Sequence, residues 1–200
     1  MKRQNRPKRV MIIQGHPDAE GSHLCHALAR AYEQGAKEAG HEVKYIDIAT
    51  LDFTVIRTKQ DWESGALAND IANVQTAIIW ANHLVLVYPL WLGTMPALLK
   101  VFLEQVLRPG FAFEMSPDGK RWTKNLTDKS ARIVVTMGMP AFVYRWYFRA
   151  HGLKNMRRNI LGFCGIKPIR ESLIGMVEGA ESARINKWLA KMRTLGSKGV

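Results

Sequence analysis

The sequence predicts an α/β fold, a three-layer sandwich in which helices cover both faces of a five-stranded parallel sheet. Short apolar runs such as residues 10–13 are typical of strands that are buried on both faces. Segments with apolar residues at helical spacing separate these runs, and strands that alternate with helices form parallel sheets through right-handed crossovers. The chain has 200 residues, of which 47% are apolar and 23% charged, as is usual for one globular domain.

The predicted elements alternate along the whole chain. Strands are predicted at residues 10–13, 42–48, 83–88, 132–136 and 167–176. Helices are predicted from Leu24 to a stop at Gly40, over 67–81, from Pro96 to about Arg108, and over 141–151, 155–164 and 180–195. Residues 49–66 are predicted to form an irregular connection, which is often functional or a lid. We expect residues 1–200 to form a single domain, with a basic tail at 1–7 and a small hairpin insertion at 111–122.

The segment from residue 8 to residue 30 is the stretch around which the fold is expected to be organised. Gly15 and Gly21 interrupt it after the first strand, and Ser22 stands where a helix N-cap belongs. A strand, a loop of small residues and a helix start together form a phosphate-binding unit, because backbone N–H groups and the positive end of the helix dipole face the anion.

Two common phosphate loops are excluded for this segment. Neither Gly-Lys-Ser/Thr nor Gly-x-Gly-x-x-Gly occurs, so the loop is neither a P-loop nor a dinucleotide fingerprint. The loop instead offers hydroxyl and imidazole donors at His16, Ser22 and His23. These donors suit a single phosphate, as on FMN, or the pyrophosphate of FAD.

Three unusual loops are predicted to meet at one edge of the sheet. In the strand order 2-1-3-4-5, the first and third strands flank the point where the order reverses, and ligands bind beyond their carboxyl ends. The loops that follow these two strands are residues 16–22 and 89–94, and residues 136–140 lie alongside them. We therefore expect a binding site formed by all three loops.

The chain is strongly basic, with 29 lysine and arginine residues against 17 aspartate and glutamate residues and a net charge of +12. This charge either makes the surface soluble or attracts anions such as nicotinamide dinucleotide phosphates. No nucleic-acid recognition module accompanies it, so we expect no nucleic-acid partner. Arg145 and Arg149, one turn apart on a predicted helix, can share an anion such as a cofactor phosphate. A solvated helix face or a dimer contact is the alternative.

Cysteine and histidine usage argues against a metal site. Cys25 and Cys164 are far apart in the sequence and form no Cys-x-x-Cys, as expected in a reducing cytoplasm rather than in a disulfide framework or a zinc site. On a helix, His23, Cys25 and His26 point in different directions. We expect no metal ion and a cytoplasmic location.

No membrane insertion is expected from the hydropathy pattern. The longest apolar stretch, residues 77–93, is interrupted by Asn82, His83 and Pro89. It therefore predicts the end of a helix followed by a strand, and not a membrane span.

Over about residues 10–195 the sequence resembles the flavodoxin-like NAD(P)H:quinone oxidoreductases. The shared motifs are G-H-P-x(5)-H after the first strand, Y-P-L-W-L-G-T-M-P-A-L-L-K after the third, G-F-A-F before the hairpin and F-C-G before the last strand. The family includes soluble bacterial reductases, ancillary flavoproteins of potassium-efflux systems and longer animal enzymes. The resemblance implies a flavodoxin-like fold, a bound flavin, NAD(P)H as co-substrate, a quinone as acceptor, and a homodimer with active sites at the subunit interface.

The resemblance also implies roles for particular residues. The flavin phosphate is expected on His16, Ser22 and His23 and on the backbone of Leu24 and Cys25. The isoalloxazine is expected along Pro89, Leu90, Trp91, Leu92 and Gly93, with Thr136, Met137, Gly138 and Met139 at its other edge. Tyr144 falls where the family has a tyrosine near the flavin, and His151 lies one residue away from the histidine that pairs with it. The alternative for both is a structural hydrogen bond on an aromatic helix.

Two departures from the family pattern concern the pocket floor. The aromatic residue that usually follows Trp91 is replaced by Leu92 and Gly93, and the usual Thr-Gly-Gly continues from Thr136 as Met-Gly-Met. These changes predict a more apolar floor. Short members of the family often carry FMN, which is the cofactor expected here, and FAD remains open.

The expected activity is transfer of a hydride from NAD(P)H through the flavin to a quinone. Backbone N–H groups of residues 137–139, or a Tyr144–His151 pair, would stabilise the negative charge that develops near the pyrimidine edge. One alternative is a flavodoxin-type electron carrier, although flavodoxins are acidic and this chain is basic. A second alternative is a regulatory flavoprotein subunit of a membrane transporter. No Gly-x-Ser-x-Gly or His-Glu-x-x-His sequence points to hydrolysis.

Overall fold

The computed structural model describes residues 7–116 and 118–200. The strands are β1 Arg9–Gln14, β2 Glu42–Asp47, β3 His83–Pro89, β4 Phe113–Met115, β5 Trp122–Lys124, β6 Ser130–Met137 and β7 Ile169–Gly175. The helices are α1 Leu24–Glu38, α2 Lys59–Ser64, α3 Asn69–Trp80, α4 Ala97–Val106, α5 Ala141–Trp146, α6 His151–Lys154 and α7 Ser182–Lys198. A 3₁₀ turn follows β2 at Ile48–Thr50, and a π-helical segment follows α6 at Asn155–Leu161.

Five parallel strands form the main sheet in the order β2-β1-β3-β6-β7. Numbered among themselves, these strands have the order 2-1-3-4-5, so the predicted α/β sandwich and its strand order are confirmed. The reversal lies between β1 and β3, where Ile13 is in register with Leu86. β4 and β5 form a separate antiparallel hairpin.

The sheet is buried on both faces because successive residues of β1 point to opposite sides. Met11 and Ile13 belong to the apolar cluster that includes α3 and α4, whereas Val10 and Ile12 belong to the cluster under α1 and α7. On the second face, a Cβ atom at Gly35 would lie 2.0 Å from the Arg193 carbonyl oxygen. Helices α1 and α7 can therefore approach closely only with glycine at this position.

The structure corrects three of the sequence-based boundaries. Within residues 49–66, which were predicted to be irregular, lie the 3₁₀ turn and helix α2, which is too short to show a helical period in the sequence. The helix predicted over 141–151 ends at Trp146, and a new helix begins at His151. The N-cap of α1 is His23 and not Ser22, which is exposed one residue earlier.

Three further predictions concern the hairpin, the N-terminal tail and the membrane. The hairpin runs over 113–124 rather than 111–122, and its turn residue Pro117 lies outside the described residues, as does most of the basic tail. Among the helices of residues 7–116 and 118–200, none combines the length and the apolar character needed to cross a bilayer.

Candidate functional site

The three predicted loops lie together beyond the carboxyl ends of β1, β3 and β6. We call the space between them the crevice, bounded by residues 15–23, 90–96 and 138–140. The Gly15 N–H donates to the Val87 carbonyl (2.7 Å), and the Leu90 N–H donates to the Thr136 carbonyl (2.8 Å). The His16 and Trp91 rings meet edge to face, with centroids 6.0 Å apart. The structure therefore brings the loops together as the sheet order predicted.

Close packing fixes the first loop at its start. A Cβ atom at Gly15 would lie 2.9 Å from the Leu99 side chain and 3.1 Å from Cβ of Tyr88. Glycine at this position lets the backbone turn directly over the end of β3. At the other end of the loop, a Cβ atom at Gly21 would lie 2.0 Å from Nε2 of His23. Gly15 therefore suits the tight start of the loop, whereas the close neighbours of Gly21 are the side-chain ends of His23 and Asp18.

The start of α1 presents an anion-binding backbone. His23 has extended backbone angles (φ −71°, ψ 148°) and makes no side-chain cap. The first N–H groups of any helix, here those of Leu24 and Cys25, have no acceptor within the helix and lie at the positive end of its dipole. No carboxylate stands in this first turn, which is fully described. This geometry can hold a phosphate group.

Histidines line the same loop. The His16 and His23 rings are stacked with centroids 3.8 Å apart, and Nε2 of His23 lies 2.7 Å from Oδ2 of Asp18. The Asp18 N–H donates to Nδ1 of His16 (3.1 Å), so the neutral His16 ring carries its proton on Nε2. Burial, together with the charge that His23 can carry, lowers the pKa of His16. The hydrogen bond from His23 lowers the pKa of Asp18. His16 is thus a neutral N–H donor near pH 7.

Two polar residues at this site were not found by sequence reasoning. Gln14 is fully buried and accepts from the His16 N–H (3.2 Å), while its own Nε2 has no partner among the described residues. Both ring nitrogens of His26 are likewise buried and without a hydrogen bond in that part of the chain, and Nε2 lies 3.7 Å from the Asp47 carboxylate. The His26 ring lies 5.6 Å from that of His16. No spacing rule identifies these residues, because the fold brings together the ends of β1 and β2 and the first turn of α1.

Cys25 contributes through its backbone alone. Its side chain is buried, and Sγ lies 3.1 Å from Oγ1 of Thr136. Burial raises the pKa of the Cys25 thiol to about 11, so it is not a reactive thiolate. The contact joins α1 to the end of β6. Thr136 is therefore a structural contact between α1 and the end of β6, and its side chain is buried.

The second loop is a tight turn that exposes its apolar side chains. Trp91 and Thr94 exchange backbone hydrogen bonds of 2.9 Å in both directions, and the two residues between them, Leu92 and Gly93, have φ values of 47° and 79°. A non-glycine residue rarely adopts a positive φ, and such strain is found often at functional sites. Trp91 is 49% exposed and Leu92 fully exposed. Both can contact a flat ligand over the crevice.

The third loop closes the crevice on the other side. The Met139 and Met137 carbonyls accept from the N–H groups of Met176 (3.2 Å) and Val177 (3.3 Å). A Cβ atom at Gly138 would lie 2.9 Å from a carboxylate oxygen of Glu178, so this acidic residue, which sequence reasoning did not select, stands beside the loop. The backbone of residues 137–139 is held in place by the segment after β7.

The structure does not join Tyr144 to His151. The buried Tyr144 hydroxyl donates to the Gly93 carbonyl (3.3 Å) and accepts from the Leu153 N–H (3.1 Å), and burial raises the pKa of Tyr144. His151 is exposed at the start of α6. Tyr144 therefore makes the structural hydrogen bonds of the alternative interpretation, and it ties the second loop to α6. His151 precedes Gly152, where a Cβ atom would lie 2.3 Å from the Gly93 carbonyl oxygen.

Arg145 and Arg149 do not form the predicted pair on one helix. α5 ends at Trp146, and the Arg145 guanidinium lies 3.5 Å from Glu171, which also pairs with Arg157 at 2.9 Å. Arg149 lies in the break that follows and has no ion pair or hydrogen bond within the described residues.

A well-formed cavity lies away from the crevice. A groove of about 870 Å³ runs between α2, α4, the hairpin and the π-helical segment, and we call it the groove. Trp62, Leu103, Phe113 and Phe163 line it, and the Phe113 and Phe163 rings meet edge to face at 4.8 Å. It contains none of the predicted site residues. Within residues 7–116 and 118–200 no cluster of side chains suits a metal ion.

Comparison with known proteins agrees with the observed fold. A protein of Haemophilus influenzae named an uncharacterized NAD(P)H oxidoreductase is 29% identical over 169 residues, covering 82% of each chain. The solved structure of an NAD(P)H:quinone oxidoreductase from Methanothermobacter marburgensis superposes with a TM-score of 0.78 at 21% identity, covering 96% of this chain and 98% of that one. An FMN-dependent NADH-azoreductase from Bacillus anthracis, solved in complex with FMN, gives a TM-score of 0.74 at 15% identity, covering 96% and 98%. The sequence profile described as "Flavodoxin-like fold" matches residues 8–195, and the chain belongs to this flavodoxin-like family.

Proposed function

We propose that this chain is a flavin-dependent NAD(P)H oxidoreductase that reduces a quinone or a similar small acceptor in two-electron steps. The observation that carries the proposal is the meeting of an anion-binding helix start with His16 and the exposed Trp91 in one crevice. The relatives named as NAD(P)H oxidoreductases and quinone oxidoreductases support the same activity.

The residues of the crevice fit a flavin phosphate. The N–H groups of Leu24 and Cys25 and the Nε2 proton of His16 are donors on one side of the loop. Two buried polar side chains nearby also support a site for a polar group. Nε2 of Gln14 and both ring nitrogens of His26 make no hydrogen bond within the described residues, and buried polar atoms in proteins normally have such a partner. Ser22 and His23 would complete the phosphate contacts, and Trp91 would lie along the ring system.

We favour FMN over FAD because the loop offers one compact set of donors, which suits a single phosphate. The FMN complex of the related azoreductase supports this choice.

When bound, the flavin would accept a hydride from NAD(P)H and deliver two electrons to the acceptor. The chain's own contribution is positioning and electrostatics. The segment after β7 holds the backbone of residues 137–139, whose N–H groups would stabilise negative charge at the ring edge. Pro89, Leu90, Leu92 and Gly93 would support the ring along its length.

We assign Tyr144 a positioning role and keep His151 as the candidate proton donor. The Tyr144 hydroxyl holds the Gly93 carbonyl in place, and its raised pKa keeps it protonated. His151 is exposed beside the same turn, where its imidazole would be accessible to a bound acceptor.

The proposal includes one domain that carries the whole site, a homodimer and a cytoplasmic location. The groove supports the dimer, since an exposed apolar lining suits a second copy of the chain. Met115 and Trp122 at the hairpin are half-exposed and apolar, and they extend this surface. Two unpaired buried cysteines support the reducing compartment.

The absorbance spectrum of the purified protein tests the proposal directly. We expect flavin bands, release of FMN on denaturation as identified by mass, and steady consumption of NAD(P)H with menadione. A colourless protein that takes up neither FMN nor FAD would overturn the proposal. Flavin binding without NAD(P)H turnover would instead favour an electron carrier, and turnover only with a co-purified membrane protein would favour a transporter subunit.

A further inference from the structure

Exposed apolar side chains are concentrated around the crevice. Twelve large hydrophobic residues are exposed in the described part of the chain, and seven of them follow β3, β6 or β7. These seven are Trp91, Leu92, Phe142, Trp146, Tyr147, Phe148 and Met176. The most exposed aromatic rings are Trp146 at 79% and Tyr147 at 80%. Exposed aromatic groups gathered beside a site point to a ligand or partner that covers them.

A strained break in the backbone presents these rings. Between α5 and α6, Arg149 and Ala150 have φ values of 54° and 48°, in the left-handed region that non-glycine residues rarely adopt. The break is held from below, because the Ala150 N–H donates to the Tyr144 carbonyl (3.0 Å) and the Tyr144 hydroxyl donates to Gly93. The strain is thus maintained at the edge of the crevice, as is common at binding sites.

The break also presents an arginine with no protein partner among the described residues. Arg145 and Arg157 both pair with Glu171, whereas Arg149 is exposed and makes no ion pair or hydrogen bond in that part of the chain. A guanidinium binds phosphate through two parallel hydrogen bonds, and exposed aromatic rings stack on a purine base.

We propose that Arg149, Trp146 and Tyr147 form a subsite for the adenosine–phosphate half of the nicotinamide dinucleotide. The inference rests on the proposed function, because that reaction requires NAD(P)H at the crevice. Among the molecules that must reach this edge, the dinucleotide is the one that carries both a purine and phosphate groups. Its nicotinamide end would point towards Trp91, and its adenosine end would lie on the aromatic rings.

An anionic membrane surface fits this edge less well. Asp18 and Glu178 stand at the same edge as the aromatic rings, so the charge is mixed rather than uniformly positive.

Two parts of the dinucleotide can supply the anion that Arg149 binds. They are the pyrophosphate bridge and, in NADPH, the 2′-phosphate. Calorimetric titration of FMN-saturated protein with adenosine 2′,5′-bisphosphate and with ADP distinguishes them. Saturation with FMN keeps both probes out of the phosphate loop of α1. A preference for the bisphosphate assigns the 2′-phosphate to Arg149, and equal affinity assigns the pyrophosphate.

The variant Arg149→Gln is expected to weaken the binding of the preferred probe about tenfold, the loss of one charge-assisted contact. Trp146→Ser is expected to weaken it several-fold. Ile79→Ser is the matched control, since Ile79 is 64% exposed on α3 and far from the break in sequence. We expect the control to bind both probes like the unaltered protein.

Kinetics supply a second readout. Arg149→Gln is expected to raise about tenfold the ratio of the KM for the dinucleotide to the KM for reduced nicotinamide mononucleotide, which lacks adenosine. An unchanged ratio, or probe affinities equal to those of the Ile79→Ser control, would overturn the inference.

Two other occupants have their own signatures. A change of oligomeric state in Trp146→Ser, measured by light scattering, would assign the surface to a second copy of the chain. Loss of binding to phosphatidylglycerol vesicles in the same variant would assign it to a membrane. Either result overturns the inference while FMN content and menadione reduction still support the proposed function, whereas a colourless protein overturns the proposed function itself.

Discussion

The crevice and the groove are both concave, but they are built from different materials. The groove has a volume of about 870 Å³, and its wall is largely apolar: Trp62, Leu103, Phe113 and Phe163. Its charged rim is partly neutralised by the ion pair between Lys100 and Glu104. The crevice is formed by loops at the ends of parallel strands, and its donors are the N–H groups at the start of α1 and the His16 ring. A large cavity with an apolar wall is therefore not by itself a site for a phosphate-bearing cofactor, because such a cofactor requires several hydrogen-bond donors that point to one place.

The two regions differ in whether the backbone offers free hydrogen-bond donors. The wall of the groove consists mainly of side chains from α2, α4, the hairpin and the π-helical segment. At the crevice β1, β3 and β6 end and the helices α1, α4 and α5 begin, so N–H groups without an acceptor inside a helix converge there.

The largest expected effect comes from a carboxylate at the start of α1. His23→Glu replaces a donor by a negative charge at the positive end of the helix and beside Asp18, and it is expected to weaken FMN binding about 100-fold. Quenching of flavin fluorescence on titration measures the affinity.

The matched control adds the same charge at the groove. Met115→Glu, at a residue 52% exposed on the hairpin, is expected to leave FMN affinity unchanged and to shift the proposed dimer towards monomer in light scattering. If both variants lose FMN equally, the cofactor does not belong to the crevice.

A smaller effect is expected from removing one indole. Trp91 and Trp122 have almost the same exposure, 49% and 48%, but Trp91 contacts His16 in the crevice whereas Trp122 stacks on Phe163 beside the groove. Trp91→Ala is expected to lower FMN affinity about tenfold, the size of a lost aromatic contact and its buried area. Trp122→Ala is expected to retain the affinity. Equal effects of the two substitutions would contradict the assignment of the flavin ring to Trp91.

The smallest expected effect is a loss of stability at low pH, and it comes from the amino ends of the strands rather than from the crevice. His83, at the start of β3, is buried, and burial lowers its pKa to about 3. The unfolded chain binds a proton below about pH 6.5 that the folded chain does not, so the free energy of unfolding falls as the pH drops through the window from 6.5 towards 3. The expected slope from this residue is about 1 kcal/mol per pH unit.

Urea denaturation of the apoprotein at pH 7, 6 and 5 measures this slope. His83→Gln is expected to flatten it, although the variant also loses the contact between His83 and Ser130. An equal flattening in His16→Gln would move the acid sensitivity to the crevice, where burial also lowers the pKa of His16.

Much of this protein follows from local sequence patterns. The apolar runs at β1, β3 and β6 identify buried strands, and alternation with helices determines a parallel sheet, in which a ligand site is expected at the reversal of strand order. The glycines of the first loop and the turn at Trp91 are also local features. For this reason the place of the crevice was predictable before any coordinates were known.

The tertiary structure alone decided which side chains meet there. The side chain of Gln14 accepts from the His16 N–H, and Nε2 of His26 lies 3.7 Å from the Asp47 carboxylate. These residues stand on separate elements, so their spacing along the chain does not predict the contacts. The break at Arg149 and Ala150 overrides the helical pattern of residues 141–151. The Tyr144 hydroxyl donates to the Gly93 carbonyl and accepts from the Leu153 N–H, and these bonds stabilise a backbone that local propensity disfavours. Local propensity and periodicity act within one element, whereas these contacts depend on distances between elements that exist only after the sheet has formed.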